Sequence, residues 1–390
     1  MTQSVLLDRR QFLAGGAALG LSGVLAAPAE AADAAPAAKP AVRPLQGKMT
    51  YEEVRAQARK MMAPRCAVCP ECNGRGPCIG QVPGFGGMGA NRGFQANYDA
   101  LAAVEFNARA IHDVKNPDMT FDFFGEKLSI PCMAAPTGGT TYNMGGRLTE
   151  EEFVTAICEG CNRAGTLGAV ADGIGDPIEV FETRLQTLKS KGYKAIVGLK
   201  PRTQEEIKLR MKKAEEAGVL ALTIDLDSAG RAARATPGQT VEPKTYEQLV
   251  ELVKATKLPL LFKGIMTPDE AKLCVKAGAA GIVVSNHGGR TLADCVGTAT
   301  VLPEIADAVN GKCMVLVDGT VARGTDIEKY LALGADACLA GRHFVRGAHG
   351  GLADGVALFA NRLKSELQVA MILTGAKNLD AITERMIRRA

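Results

Sequence analysis

The 390-residue chain has no tryptophan, and aromatic residues make up only 5% of it. Nor does a block of basic residues accompany its formal charge of +4. A nucleic-acid surface needs clustered cations, so these shortages argue against a nucleic-acid partner. Long apolar runs are also missing near the N-terminus: Ala14 to Ala27 is short and rich in Ala and Gly, poorly suited to a membrane anchor. A further absence concerns the run Ala135-Pro136-Thr137-Gly138-Gly139, which closes the first strand candidate. It lacks the Gly-rich phosphate fingerprint expected at that place in an open, doubly wound sheet.

What the N-terminus does have is Asp8-Arg9-Arg10-Gln11-Phe12-Leu13, a mildly apolar stretch, and the small-x-small site Ala29-Glu30-Ala31. This order resembles a twin-arginine export signal over residues 1–31, the alternative being a plain anchor. Twin-arginine export carries folded proteins, so it leans toward a periplasmic enzyme with a cofactor already inserted. Cleavage would remove Asp8, Arg9, Arg10 and Glu30, leaving the net charge at +4. Residues 32–48, rich in Ala and Pro, read as a flexible leader. An N-terminal extension over 49–115 and a barrel over 116–390 complete the expected organisation.

From Lys127 onward, apolar runs alternate with amphipathic segments, the pattern of repeated βα units. The strand candidates are Leu128–Ala135, Leu167–Ala171, Ala195–Leu199, Ala221–Ile224, Leu258–Lys263, Gly281–Ser285, Met314–Asp318 and Ala337–Ala340. Between the third and fourth, Ile207, Met211 and Ala214 form a single helical stripe. Eight such units predict a closed α/β architecture, the (β/α)8 TIM barrel, preceded by a Cys-containing extension. Barrel chemistry sits at the C-terminal ends of the strands. Asp225, Lys263, His287, Arg290 and Asp318 all fall there.

The most chemical stretch is Ser285-Asn286-His287-Gly288-Gly289-Arg290, directly after a buried apolar run. A neutral imidazole accepts a proton near pH 7, and a guanidinium grips a carboxylate with two hydrogen bonds. The plainer reading is a turn with a satisfied His and a solvated Arg. Lys263 could likewise be a rim salt bridge, and Asp225 a helix cap.

Several stretches together resemble the FMN-dependent 2-hydroxy acid oxidase and dehydrogenase family. They are Asn116 to Thr120, Ile130 to Thr137, Leu261 to Ile265, Val284 to Arg290 and Leu331 to Ala337, in order and each at the same place in a βα unit. The resemblance implies that His287 is the base that removes a substrate proton and that Asp225 stabilises the imidazolium. It makes Arg290 the carboxylate clamp and places Lys263 near flavin N1, where charge develops on reduction. It also implies FMN contacts from Pro136, Thr137, Gly138, Thr223 and Ser285, with the phosphate held by Asp318, Gly319, Arg323, Gly341 and Arg342. A small 2-hydroxy acid as substrate and a homo-oligomer follow by the same resemblance; the electron acceptor stays open. An oxidoreductase or isomerase on another substrate, or a barrel that binds without turnover, are the competing readings.

Departures from the family pattern concern the substrate. The Gln-x-Tyr usual near the end of strand three is replaced by Val197-Gly198-Leu199-Lys200-Pro201. The position of a second carboxylate-binding Arg falls at Ala232, between Arg231 and Arg234, and the paired arginines after strand seven are reduced to Ala322-Arg323. Lys200 or Arg234 is therefore expected to replace the missing substrate contacts.

The largest departure is Cys66-x-x-Cys69-x-x-Cys72-x5-Cys78. Two-residue gaps suit thiolates converging on one centre. An iron–sulfur cluster, a structural zinc or two disulfides all share this spacing. Of the other cysteines, Cys132, Cys274, Cys313 and Cys338 are expected in the core, Cys158 and Cys161 in helix packing, and Cys295 is without a role.

Overall fold

The computed structural model describes residues 42–234 and 240–389. The export-type segment and residues 32–41 of the leader lie outside the described residues, as do the side chains of 231–239. Eight parallel strands carry the fold: β1 (Cys132–Ala134), β2 (Gly168–Ala171), β3 (Ala195–Leu199), β4 (Ala221–Asp225), β5 (Leu260–Ile265), β6 (Gly281–Val284), β7 (Met314–Val317) and β8 (Ala337–Ala340). They pair in the order β1-β8-β7-β6-β5-β4-β3-β2. The remaining seam is bridged by the Ala134 N–H, which donates to the Leu167 carbonyl at 3.0 Å. This is the expected (β/α)8 barrel.

The first strand is shorter than its apolar run suggests. Pro131 has no N–H to give a ladder, so the run divides there. Glu126–Leu128 turns back on Phe121–Phe123 as an antiparallel hairpin, and only Cys132–Ala134 joins β8. Phe123 and Leu128 of that hairpin pack with Met133, Ile196, Leu261, Val283 and Leu316 inside the barrel. The hairpin thus closes the barrel floor, leaving its C-terminal mouth for chemistry.

The helix Gln204–Glu216 buries Ile207, Met211 and Ala214, as their spacing predicts. In the extension, Tyr51–Met62 begins with a capping box between Thr50 and Glu53 and buries Val54, Ala58, Met61 and Met62. It lies so close to the C-terminal helix Arg342–Thr374 that a Cβ at Gly350 would stand 2.1 Å from the Val54 carbonyl oxygen. Val104–Phe106 also pairs with Ile387–Arg389. Residues 41–390 consequently form one compact unit, with the extension built into the barrel's surround. Among the described residues no helix is long and apolar enough to cross a membrane.

Candidate active site

A cleft of about 1070 Å³ opens at the C-terminal mouth of the barrel. Thr137, Gly138, Lys200, Lys263, His287, Gly288, Arg290, Asp318, Gly319, Gly341 and Arg342 all line it, so most of the residues singled out from the sequence converge there. The loop after β6 enters through three successive left-handed residues, His287 (φ 58°), Gly288 (φ 63°) and Gly289 (φ 74°). Only glycine fits at 289, because a Cβ would lie 2.3 Å from the Phe94 backbone nitrogen. A left-handed histidine is unusual, and such backbone collects at functional sites.

His287 is fixed from two sides. Its N–H donates to Ser285 Oγ at 3.0 Å, and that hydroxyl donates to Asp318 Oδ2 at 2.8 Å. Its ring Nδ1 stands 3.1 and 3.2 Å from the two carboxylate oxygens of Asp227 and 3.5 Å from Lys263 Nζ. The carboxylate hydrogen-bonded to the imidazole is therefore Asp227, which the sequence reading had not picked out, while Asp225 acts on the ring only through charge at longer range. Asp225, fully buried, takes Lys200 Nζ at 2.5 Å and Lys263 Nζ at 3.8 Å.

Local geometry explains the exchange. β4 ends at Asp225 and a 3-10 turn, Leu226–Arg234, begins at once, so the strand's alternation stops applying to Asp227. Opposite it, β5 shifts register between Lys263 and Ile265, with Gly264 at φ 101°. A Cβ at 264 would lie 2.6 Å from Asp227 Cβ, so the glycine makes the room that Asp227 occupies. Lys200, which stands where the family pattern differs, engages Asp225, the carboxylate that the sequence had pointed to.

The lysine and carboxylates form a coupled cluster. Burial works against a charged Lys263, but Asp225, Asp318 and Asp227 outweigh it and raise its pKa, keeping a cation at the cleft floor. Burial would also raise Asp225; Lys200 and then Lys263 overcome it and hold the carboxyl below its ordinary value. For Asp318 burial prevails over Lys263 and the Ser285 hydroxyl, and its pKa rises.

Arg290 reaches back to the extension. Its Nη1 donates to the carbonyls of Gly84 and Gly86, and Nη2 donates to Asn143 Oδ1 at 3.3 Å. Asn143, Tyr142 and Phe85 join the cleft wall; the sequence reading had not assigned them. Their signal was slight: Tyr142-Asn143 merely follows the glycines after β1. Tyr142 accepts a hydrogen bond from the Gly175 N–H at 3.3 Å, and burial, aided by Asp176, pushes its hydroxyl up to about 12.

Other sequence-selected residues lie at the margins. Pro136 packs over β3, where a Cβ at Gly198 would come within 2.5 Å of it. Thr223 and Ser285 are buried behind the cleft. Arg342 starts the C-terminal helix and holds the Phe85 and Gly288 carbonyls at 2.9 and 3.0 Å, its guanidinium 3.7 Å above the Phe94 ring. Arg323 is mostly exposed and lines an adjoining polar cleft, which shares Thr320 and His343 with the first. Arg234 is placed only by its backbone at the end of the 3-10 turn, and its side chain lies outside the described residues.

A barrel mouth with a cation beneath it, glycine turns around it, and a carboxylate-held histidine and a guanidinium lining one cleft defines a barrel oxidoreductase for a flat cofactor and an acidic substrate. The comparisons give the family. The model for FMN-dependent dehydrogenase matches residues 85–245 and 234–389. The peroxisomal (S)-2-hydroxyacid oxidase GLO3 of Arabidopsis thaliana is 31% identical over 341 residues, covering 78% of this chain and 90% of that protein. A solved mandelate oxidase variant with (S)-mandelic acid superposes with TM-score 0.70 at 28% identity, covering 88% of this chain and 98% of that one. Another, carrying a monooxide FMN adduct, gives TM-score 0.66 at 30% identity over 78% of this chain and 93% of that one. The chain belongs to the FMN-dependent dehydrogenase family.

The residues present suit FMN. Thr223 Oγ1, Thr320 Oγ1 and Asp318 Oδ1 are buried without a hydrogen-bond partner among the described residues. Such orphaned polar groups are costly unless a ligand's donors and acceptors meet them.

Proposed function

We propose that this protein oxidises a 2-hydroxy acid to the 2-oxo acid with FMN. The observation that carries the proposal is the convergence of Asp227-held His287 and Arg290 on one cleft floored by Lys263. FMN, when bound, supplies the acceptor for the hydride or its equivalent. Thr137 and Gly138 would meet its ring and chain; Arg342, the backbone at Gly341, and Arg323 in the adjoining cleft would receive its phosphate. Arg290 binds the substrate carboxylate. With Nδ1 turned to Asp227, His287 uses Nε2 to take the substrate proton, and the carboxylate steadies the imidazolium that results. GLO3, by its name an (S)-2-hydroxyacid oxidase, and the mandelate oxidase with (S)-mandelic acid support this substrate class.

A second reading keeps FMN but changes the substrate. It is favoured by Lys200, locked to Asp225 rather than offered to a ligand, and by the Tyr142-Asn143 wall. Anaerobic mixing of the flavin-loaded protein with small, branched and aryl 2-hydroxy acids separates the two. Bleaching of the flavin by at least one acid is expected, and no bleaching by any would leave the second reading in place.

Residues 1–31 are read as a twin-arginine export signal on the order Arg9-Arg10-Gln11-Phe12-Leu13, apolar stretch, Ala29-Glu30-Ala31. Cell fractionation should find the cleaved protein in the periplasm, and Arg9→Lys with Arg10→Lys should hold it inside; an unaffected double variant would refute the signal. After substrate oxidation two electrons must leave the flavin. This reading assigns them to the four-cysteine cavity beside the cleft.

A further inference from the structure

We propose that Cys66, Cys69, Cys72 and Cys78 hold an iron–sulfur cluster that drains the flavin cleft one electron at a time, an inference that rests on the FMN-dependent reading above. The four cysteines line a single cavity. Cys72, Phe85 and Phe94 belong both to that cavity and to the cleft, so the two share a wall. The chain is shaped around the sulfurs: a Cβ at Gly76 would lie 2.6 Å from Cys69 Sγ.

Charge decides what the sulfurs are. Arg346 reaches this cavity from the C-terminal helix and is only 5% exposed. Its Nη2 donates to Cys72 Sγ at 3.0 Å and to Cys66 Sγ at 3.5 Å. Among the described residues no carboxylate pairs with it, and its Nε has no partner. A buried guanidinium is tolerated only beside negative charge. Neutral thiols and disulfide sulfurs carry none, whereas metal-bound thiolates do.

Position decides which centre. Four cysteines around one cavity are a ligand set that both zinc and an iron–sulfur cluster accept. The cavity shares a wall with the flavin cleft, where a redox centre has a use and zinc, which moves no electrons, has none.

The electrons balance as follows. Breaking the substrate's C–H and O–H bonds sends two electrons to the flavin and two protons ultimately to solvent. The flavin returns the electrons singly, each reducing one ferric iron of the cluster to ferrous. The cluster then passes each to an external one-electron acceptor.

The test uses anaerobically purified full-length protein, assayed for flavin, iron, acid-labile sulfide and zinc, with low-temperature electron paramagnetic resonance after dithionite. About two to four iron and as many sulfides per chain, with a signal on reduction, are expected. Cys69→Ala should lose most of the iron and the resonance signal that appears on reduction, while an acid still bleaches its flavin at the wild-type rate. Arg346→Gln should retain iron but shift the cluster potential downward, because the reduced, more negative cluster loses its cation. Flavin-loaded, acid-bleached protein containing zinc or no metal would overturn the cluster and spare the FMN reading. Flavin that no acid bleaches would overturn the 2-hydroxy acid reading and leave FMN with another substrate, with the iron and sulfide content still deciding the cluster.

Discussion

Replacing His287 with alanine is expected to slow acid-dependent flavin bleaching by about 10²–10⁴-fold, the usual contribution of a positioned base. Flavin content should stay near wild type, because the ring's role is carried by its contacts with Asp227 and Lys263, while the phosphate is assigned to Arg323, Gly341 and Arg342. The comparison that matters is stopped-flow bleaching against flavin stoichiometry in the same preparation. An alanine variant that bleaches at the wild-type rate would remove His287 from the chemistry. Loss of flavin along with rate would instead point to a structural role for the left-handed turn at 287–289.

The second large effect separates two carboxylates that lie two residues apart. Asp227→Asn keeps the shape but not the charge opposite Nδ1, so it no longer stabilises an imidazolium or fixes the tautomer. Bleaching should fall by about 10²-fold or more with little change in melting temperature. Asp225→Asn should act the other way round. It leaves Lys200 buried beside an uncharged amide, and breaking a buried pair costs about 3–5 kcal/mol. For a chain of this size that lowers the melting temperature by roughly 4–7 °C. Lys263 keeps Asp318 at 3.6 Å, so some activity should survive in folded protein. If Asp225→Asn proved the slower and Asp227→Asn the less stable, the assignment would be reversed.

Much of the fold was legible because parallel strands covered on both faces leave short apolar runs of fixed spacing. Each of the eight expected strands is present, and the helix stripe of Ile207, Met211 and Ala214 is buried. The shortened β1 is the exception, and Pro131 was its signal. Of the site, His287, Arg290, Lys263, Thr137, Gly138, Lys200 and Arg342 line the cleft, since strand-end residues must face the barrel mouth. Asp227 was not legible. Its position depends on a 3-10 turn and on a register shift at Gly264 in the next strand, neither of which a strand pattern records. Arg346 was equally hidden: its neighbours are some 270–280 residues away in the chain.

By itself, then, the sequence determined the barrel, the strand ends that carry chemistry and the spacing of four cysteines, because these depend on local periodicity and chain order. Only the tertiary structure decided which carboxylate holds the imidazole and that a buried guanidinium faces the sulfurs. It also decided that the cysteine cavity shares Cys72, Phe85 and Phe94 with the cleft. Those are matters of charge and space between distant segments. In a buried site every ion must find its counterpart across the fold, not along the chain.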